Sequence, residues 1–277
     1  MKGSIIFRKI NKDRLYLLKS YALDMLVMLV LIALLSVTGI SIGFEYSHWY
    51  LLIIPFAMMN GLVLASLLHN TSHNNIKNDF LNRVVGEYCG YWVLYGFENF
   101  VLVHFLHHKY SDEELDPVNP KGMSFIVFLS APMRYMIDAT RKYLMKIHGS
   151  TENYSFIMKT QTLAFHINII LRLVIWYMLL GKTLFFTFYI PGVLSIVAIF
   201  AHINYNCHQE KEDGSIEIVN LNHNLYYKIA NFFTVGGYFH LNHHQNVNLF
   251  DPRFQGQSHS TFGLQAHLSN IFRKLSI

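Results

Sequence analysis

ALDMLVMLVLIALLSVTGISIG, residues 22–43, holds one charged side chain, Asp24, in an otherwise apolar run. As a helix it extends about 33 Å, enough to cross the hydrocarbon core of a bilayer. It is too long for the apolar core of a cleaved leader and lacks a small-residue cleavage site, so it reads as a retained span. Working outward, FEYSH (44–48) is a short turn and WYLLIIPFAMMNGLVLASLL (49–68) a second span, which closes a hairpin. A second hairpin is expected at about 164–180 and 183–202, turning at Gly181-Lys182. Composition agrees, because 52% of the chain is hydrophobic and only 14% charged, against roughly 25% charged in soluble domains.

Basic residues set the orientation. Six lie in the first 21 residues, nine in 69–163 and five in 203–277; only Arg172 and Lys182 fall elsewhere. The positive-inside rule makes the side that holds these twenty cytoplasmic. The net charge of +5 therefore follows membrane topology and does not point to nucleic acid. The expected fold is an all-α, multi-pass integral membrane protein with four transmembrane helices in two hairpins and both termini cytoplasmic. A single domain, 1–277, would comprise a basic tail (1–21), the four spans, and a cytoplasmic helical cap (69–163 and 203–277). Residues 84–105 are apolar but interrupted by Glu87 and Glu98, and read as an amphipathic helix lying on the surface. Residues 123–133 are too short to span.

Three histidine clusters fall on the cytoplasmic side: His69/His73, His104/His107/His108 and His240/His243/His244. At this histidine content chance gives roughly 0.05 copies of His-x-x-His-His per chain, and two are present. The His-x-x-x-His pair occurs about once by chance and takes its meaning from the others. Spacings of three and four put the members of a cluster on one helix face. Adjacent histidines diverge by about 100° around the axis, so one can address one metal and its neighbour a second. Imidazole suits iron, zinc and copper alike, so the clusters indicate a centre of more than one ion without naming it. Asn204 and His208, four apart beyond the last span, are further candidates; His202 falls on a different face and is the weaker one. Asp112, Glu113, Glu114 and Asp116 read as a solvated loop, with one or two orienting ligands as the competing reading. Glu98 and Asp251 are comparable candidates. Asp24 and Arg172 are costly in lipid and are read as pairing internally or reaching the interface. His48, His148, His166, His223, His259 and His267 lack cluster context and read as ordinary polar residues.

Cys89 and Cys207 make neither a disulfide framework nor a Cys-x-x-Cys motif. No Gly-x-Gly-x-x-Gly is present, so electrons would come from a partner. A transporter would place its ligands within the spans, not beside them. A ferritin-like carboxylate centre needs two Glu-x-x-His motifs, and the one here, Glu45–His48, lies in the non-cytoplasmic turn.

The order and placement of the clusters, the Asn204-x-x-x-His208 element, and His107-His108-Lys109-Tyr110-Ser111-Asp112 running to Asp116-Pro117 resemble the membrane fatty acid desaturase family. So does the approach to the third cluster, Asn231-Phe-Phe-Thr-Val-Gly-Gly. The resemblance runs from about residue 22 to 250. It implies two non-haem iron ions held by His69, His73, His104, His107, His108, His208, His240, His243 and His244, with Asn204 acting through water. It also implies dioxygen, a membrane-lipid or acyl-carrier substrate, and an external electron donor such as a ferredoxin or small haem protein with its reductase. The implied reaction is desaturation of a long acyl chain. The alternatives are a related hydroxylase or carotenoid ketolase and, more distantly, a membrane metal-binding or transport protein.

Overall fold

The basic N-terminal segment is built into the fold. In the computed structural model, which describes residues 5–45, 47–130 and 132–255, helix α1 (Ile5–Lys12) buries Ile6 and Ile10. Phe7 stacks on Phe105 with centroids 5.1 Å apart, and Tyr143 donates to Asn11 across 2.8 Å. The expected basic tail is therefore largely a docked helix, because its apolar face has a partner. Residues 1–4 and 256–277, with His259 and His267, lie outside the described residues.

Among the described residues, three helical segments are long and apolar enough to cross a membrane: Tyr16–Thr38, His48–Ser72 and Glu152–Cys207. The first is α2, which starts six residues before the apolar run and stops at Gly39. That glycine takes the left-handed conformation (φ 64°), and its N–H closes on the Leu35 carbonyl. Residues 40–43, expected to continue the span, leave the helix, and the Ile42 amide bonds the Leu179 carbonyl at 2.8 Å. The second segment joins a 3₁₀ turn (His48–Ile53) to α3 (Ile54–Ser72).

The polypeptide between the second and third segments does not form the surface helix expected over 84–105. It makes α4 (Asp79–Trp92) and α5 (Phe97–Lys109), parted where Leu94 (φ 71°) and Gly96 (φ 79°) adopt positive φ. Helix α5 buries Phe97, Phe100, Val101, Leu102, Val103, Phe105 and Leu106, so it is apolar nearly all round and central to the fold. Two more helices follow, α6 (Phe125–Ser130) and α7 (Pro132–His148).

The third apolar segment contains both remaining expected spans: α8 (Glu152–Leu184), a π-helical turn (Phe185–Tyr189) and α9 (Ile190–Cys207). It is not straight. Gly181 (φ 66°, ψ 169°) breaks the helical geometry, and Trp176 stacks on Tyr189 with centroids 5.1 Å apart. A continuous helix would separate those residues by about 20 Å, so the chain turns back at Gly181. Helix α8 packs on α2 and α9 on α3. The α3–α9 crossing is tight: a Cβ at Gly61 would fall 2.0 Å from Ser195 Oγ and 2.3 Å from the Gly192 carbonyl. Small residues permit this backbone approach, as is common between helices in lipid.

After α9 come a two-stranded antiparallel ribbon, β1 (His208–Glu210) with β2 (Ile216–Ile218), then α10 (Leu225–Phe233) and α11 (His240–Gln245). Asp24 and Arg172 pair, as their cost in lipid required: Arg172 donates to the Asp24 carboxylate at 2.9 Å and also bonds the Leu94 carbonyl.

Candidate metal centre

All nine histidines singled out by spacing meet in one place, and they meet as two groups. His69, His73, His104, His108 and His243 form one; His107, His208, His240 and His244 form the other. Within each group the nitrogens on offer lie within 4.8 Å of one another. His69 comes from the last turn of α3 and His73 from its C-cap; α5 and α11 supply three each, and His208 follows α9 at the start of β1. The adjacent pairs divide: His107 goes one way and His108 the other, as do His244 and His243. Partners four apart, His104 with His108 and His240 with His244, stay together because the helix puts them on one face.

The ring nitrogens turned inward are mostly Nε2. His73 and His104 approach to 2.7 Å, His69 and His243 to 3.0 Å, and His108 meets His243 at 2.9 Å. In the second group His240 Nε2 lies 3.1 Å from His208 and 3.2 Å from His244. His107 Nε2 is buried without a hydrogen-bond partner. Burial drives the pKa values of His73, His104, His108, His240 and His243 well below the ordinary imidazole value, and neighbouring histidines add to this. These five rings are therefore neutral at physiological pH and keep lone pairs to donate, which a metal requires. Two ions, one per group, fit this donor set of nitrogens alone.

Two carboxylates orient rings from behind. Asp116 is fully buried, 3.0 Å from His107 Nδ1, and accepts the amides of Asp112 and Val118. Asp112 lies 2.8 Å from His208 Nδ1. Burial pulls the Asp112 carboxyl upward, but the His208 hydrogen bond and charge, with smaller help from Ser111 and His107, together hold the group below its ordinary value. The solvated-loop reading is thus corrected for these two residues. They are held by their own turn, where Asp112 takes φ 65°. It stands for Glu114, which is exposed and pairs with Lys142. Glu98 pairs with Arg83 and Asp251 with Arg253.

Asn204 lies at the edge of the centre. Its Nδ2 bonds the Phe200 carbonyl, and its Oδ1 is buried without a hydrogen-bond partner. It lines a space of about 80 Å³ shared with His69, His104, His107 and His240. His202 belongs to neither group and shares a 2.6 Å hydrogen bond with Tyr238. His148 and His166 bond backbone carbonyls.

Spacing did not reveal the asparagines that brace the cage. Asn75 Nδ2 reaches the Val247 and Leu249 carbonyls, tying the end of α3 to the chain beyond α11. Asn82 donates to the Thr71 carbonyl, and Asn231 holds the Leu221 carbonyl and the Tyr238 amide. Isolated asparagines carry no spacing signal; Asn231 alone sat within a noted stretch.

The space beside the histidines adjoins a second cavity of about 270 Å³; Tyr95, Val103, Val118, Met136, Phe200 and Asn204 line both. The sequence profile described as fatty acid desaturase matches residues 46–249. The chain belongs to the fatty acid desaturase family. That match takes in all ten candidate residues, from His69 to His244. No curated protein and no solved structure matches the chain. Membership supports an oxidoreductase of desaturase or hydroxylase type acting on a fatty acyl substrate with oxygen. The three apolar segments agree with a membrane protein.

Proposed function

We propose that this desaturase-family protein is a membrane-bound diiron oxidoreductase that uses dioxygen and external electrons to desaturate a long fatty acyl chain. One observation carries the reading: two groups of histidines, their ring nitrogens gathered within 4.8 Å, border a cavity with mostly apolar walls. His69, His73, His104, His108 and His243 would hold one iron, and His107, His208, His240 and His244 the other. When bound, the iron pair supplies the oxidising power, drawn from dioxygen, that an unactivated C–H bond requires.

The chain's own residues do the rest. Asp116 and Asp112 fix the ring orientation of His107 and His208, so that Nε2 faces inward before any metal arrives. Asn204 keeps a buried oxygen free at the edge of the cage, where it can hold a water. The cavity walls exclude bulk water and gather the acyl chain, worth about 0.8 kcal/mol for each methylene buried. The fold-back at Gly181 supports four crossings in two hairpins, with the cage and both termini on the cytoplasmic side. Twenty of 22 basic residues argue for that side.

The test is to purify the protein in nanodiscs and measure iron. It is then supplied with a stearoyl substrate, a ferredoxin–reductase couple and air, and the product is weighed by mass spectrometry. Desaturation predicts about two irons per chain and a loss of two hydrogens. Gain of one oxygen would assign a hydroxylase instead, and absence of turnover in an iron-loaded sample would reject the oxidase reading.

A further inference from the structure

Helix α1 precedes the residues shared with the family profile, yet its packing reaches the metal centre. Phe7 stacks on Phe105 with ring planes 25° apart, and the Phe105 ring meets that of His73 at 5.7 Å and 37°. These separations are those of rings in contact. A row of three rings thus runs from the N-terminal helix to one of the nine histidines. On its other side Phe7 meets Tyr143 at 6.0 Å and 18°. Tyr143 is itself buried and bonded to Asn11, and His148 bonds the Ile10 carbonyl at 3.0 Å. Helix α7 therefore fixes α1, and α1 fixes the Phe105 ring.

His73 depends on packing for its aim. It is the C-cap of α3, at φ −90° and ψ 0°, and lies past the regular helix that directs His69. In the group of four, Asp116 and Asp112 aim His107 and His208 by hydrogen bonds. The Phe105 ring serves His73 by contact instead. The α5 backbone is held independently, because Val101, Leu102 and Leu106 are fully buried. Losing Phe7 would free the Phe105 ring and leave the helix where it is.

We propose that Phe7 is a positioning residue for the metal centre: through the Phe105 ring it holds the imidazole of His73, and so sets how tightly the group of five keeps its ion. Ligands must be held within about 0.5 Å of their working positions, so a ring freed on one face weakens one site. The group of four, aimed by its carboxylates, does not share this dependence. Docking of α1 thereby acts on one metal position and not the other. This rests on the two-ion reading given above, and the experiment separates the two.

The protein in nanodiscs is loaded with Fe(II) and, in parallel, with Zn(II), and release of each metal to excess chelator is followed in time. In Phe7→Ala one of the two ions should leave about 10-fold faster, as on loss of a group that orients a ligand, and the other at the wild-type rate. Phe7→Tyr keeps the ring and should restore slow release. Phe7→Leu keeps α1 covered where Phe7→Ala costs too much stability, and should show the same selectivity at smaller size. Met28→Ala removes a buried side chain from α2 and serves as the control for general destabilisation; it should lower the melting temperature with both release rates unchanged. Equal acceleration of both ions in Phe7→Ala and Phe7→Leu, or the same release pattern in Met28→Ala, overturns the positioning role. So does release at the wild-type rate from both Phe7 variants. A wild type that retains a single ion of either metal sinks the two-ion reading, while faster release of that ion from Phe7→Ala, restored in Phe7→Tyr, keeps the role of Phe7.

Discussion

Asp116 lies 3.0 Å from His107 Nδ1, and the opposite nitrogen of the same ring is buried with no hydrogen-bond partner. The carboxylate fixes which nitrogen faces the cage. Asp116→Asn keeps the shape but replaces one of two accepting oxygens by an NH₂, which then faces either the Asp112 amide, now on Oδ2, or the Val118 amide, now on Oδ1. Iron affinity should fall about 10- to 100-fold, read as iron retained after dialysis against graded chelator. Glu114→Gln, in the same loop but exposed, should leave retention unchanged.

The division of adjacent histidines between the two groups makes a stoichiometric prediction. His108→Ala and His243→Ala both remove a donor from the group of five; His107→Ala and His244→Ala both remove one from the group of four. Each single variant should fall toward one iron per chain by elemental analysis. Pairing variants within a group should cost little further metal, whereas pairing His107→Ala with His108→Ala should empty the protein. Equal, graded loss in every combination would contradict two separate sites.

The sequence exposed the cage because its chemistry is written in local spacing: residues three and four apart share a helix face whatever surrounds them. The supporting shell was less legible. Asp112 and Asp116 look like any acidic loop until the positive φ at Asp112 turns them inward, and Asn75 acts across 172 positions on the Val247 carbonyl. The surface reading of 84–105 fails because Glu98, an interruption in the apolar run, is buried in an ion pair with Arg83, a partner it shares with Glu87. That pairing lets α5 enter the core. The end of α2 was overrun because Gly39 sits in a run whose hydropathy continues past it.

The Arg172–Asp24 pair holds more than two charges. Arg172, 2% exposed, also bonds the Leu94 carbonyl at the break between α4 and α5 and lies over the Tyr91 ring at 5.5 Å. Arg172→Met should destabilise the protein by about 3 kcal/mol, since it strands Asp24 and frees that break. Adding Asp24→Asn should recover part of the loss. Thermal unfolding in one detergent, with iron content as a second readout, separates loss of stability from misplacement of the α5 histidines.

Gly181 is the residue on which the packing of the apolar segments turns. Its φ of 66° with ψ of 169° is a backbone region open essentially to glycine alone. A Cβ there would lie 2.9 Å from the Cα of Gly43, so neither strand of backbone can yield cheaply. Gly181→Leu should therefore cost about 1–3 kcal/mol from the dihedral angles alone, with the clash in addition. The consequence reaches the cage, because α9 leads directly into His208 and packs along α3, which carries His69. If the chain straightened here, Trp176 and Tyr189 would part, and the two ends of the cage would lose register. Gly181→Leu should thus show lower iron content and a lower melting temperature together. Restoring stability with a tightly bound hydrocarbon should recover the first only as far as the second.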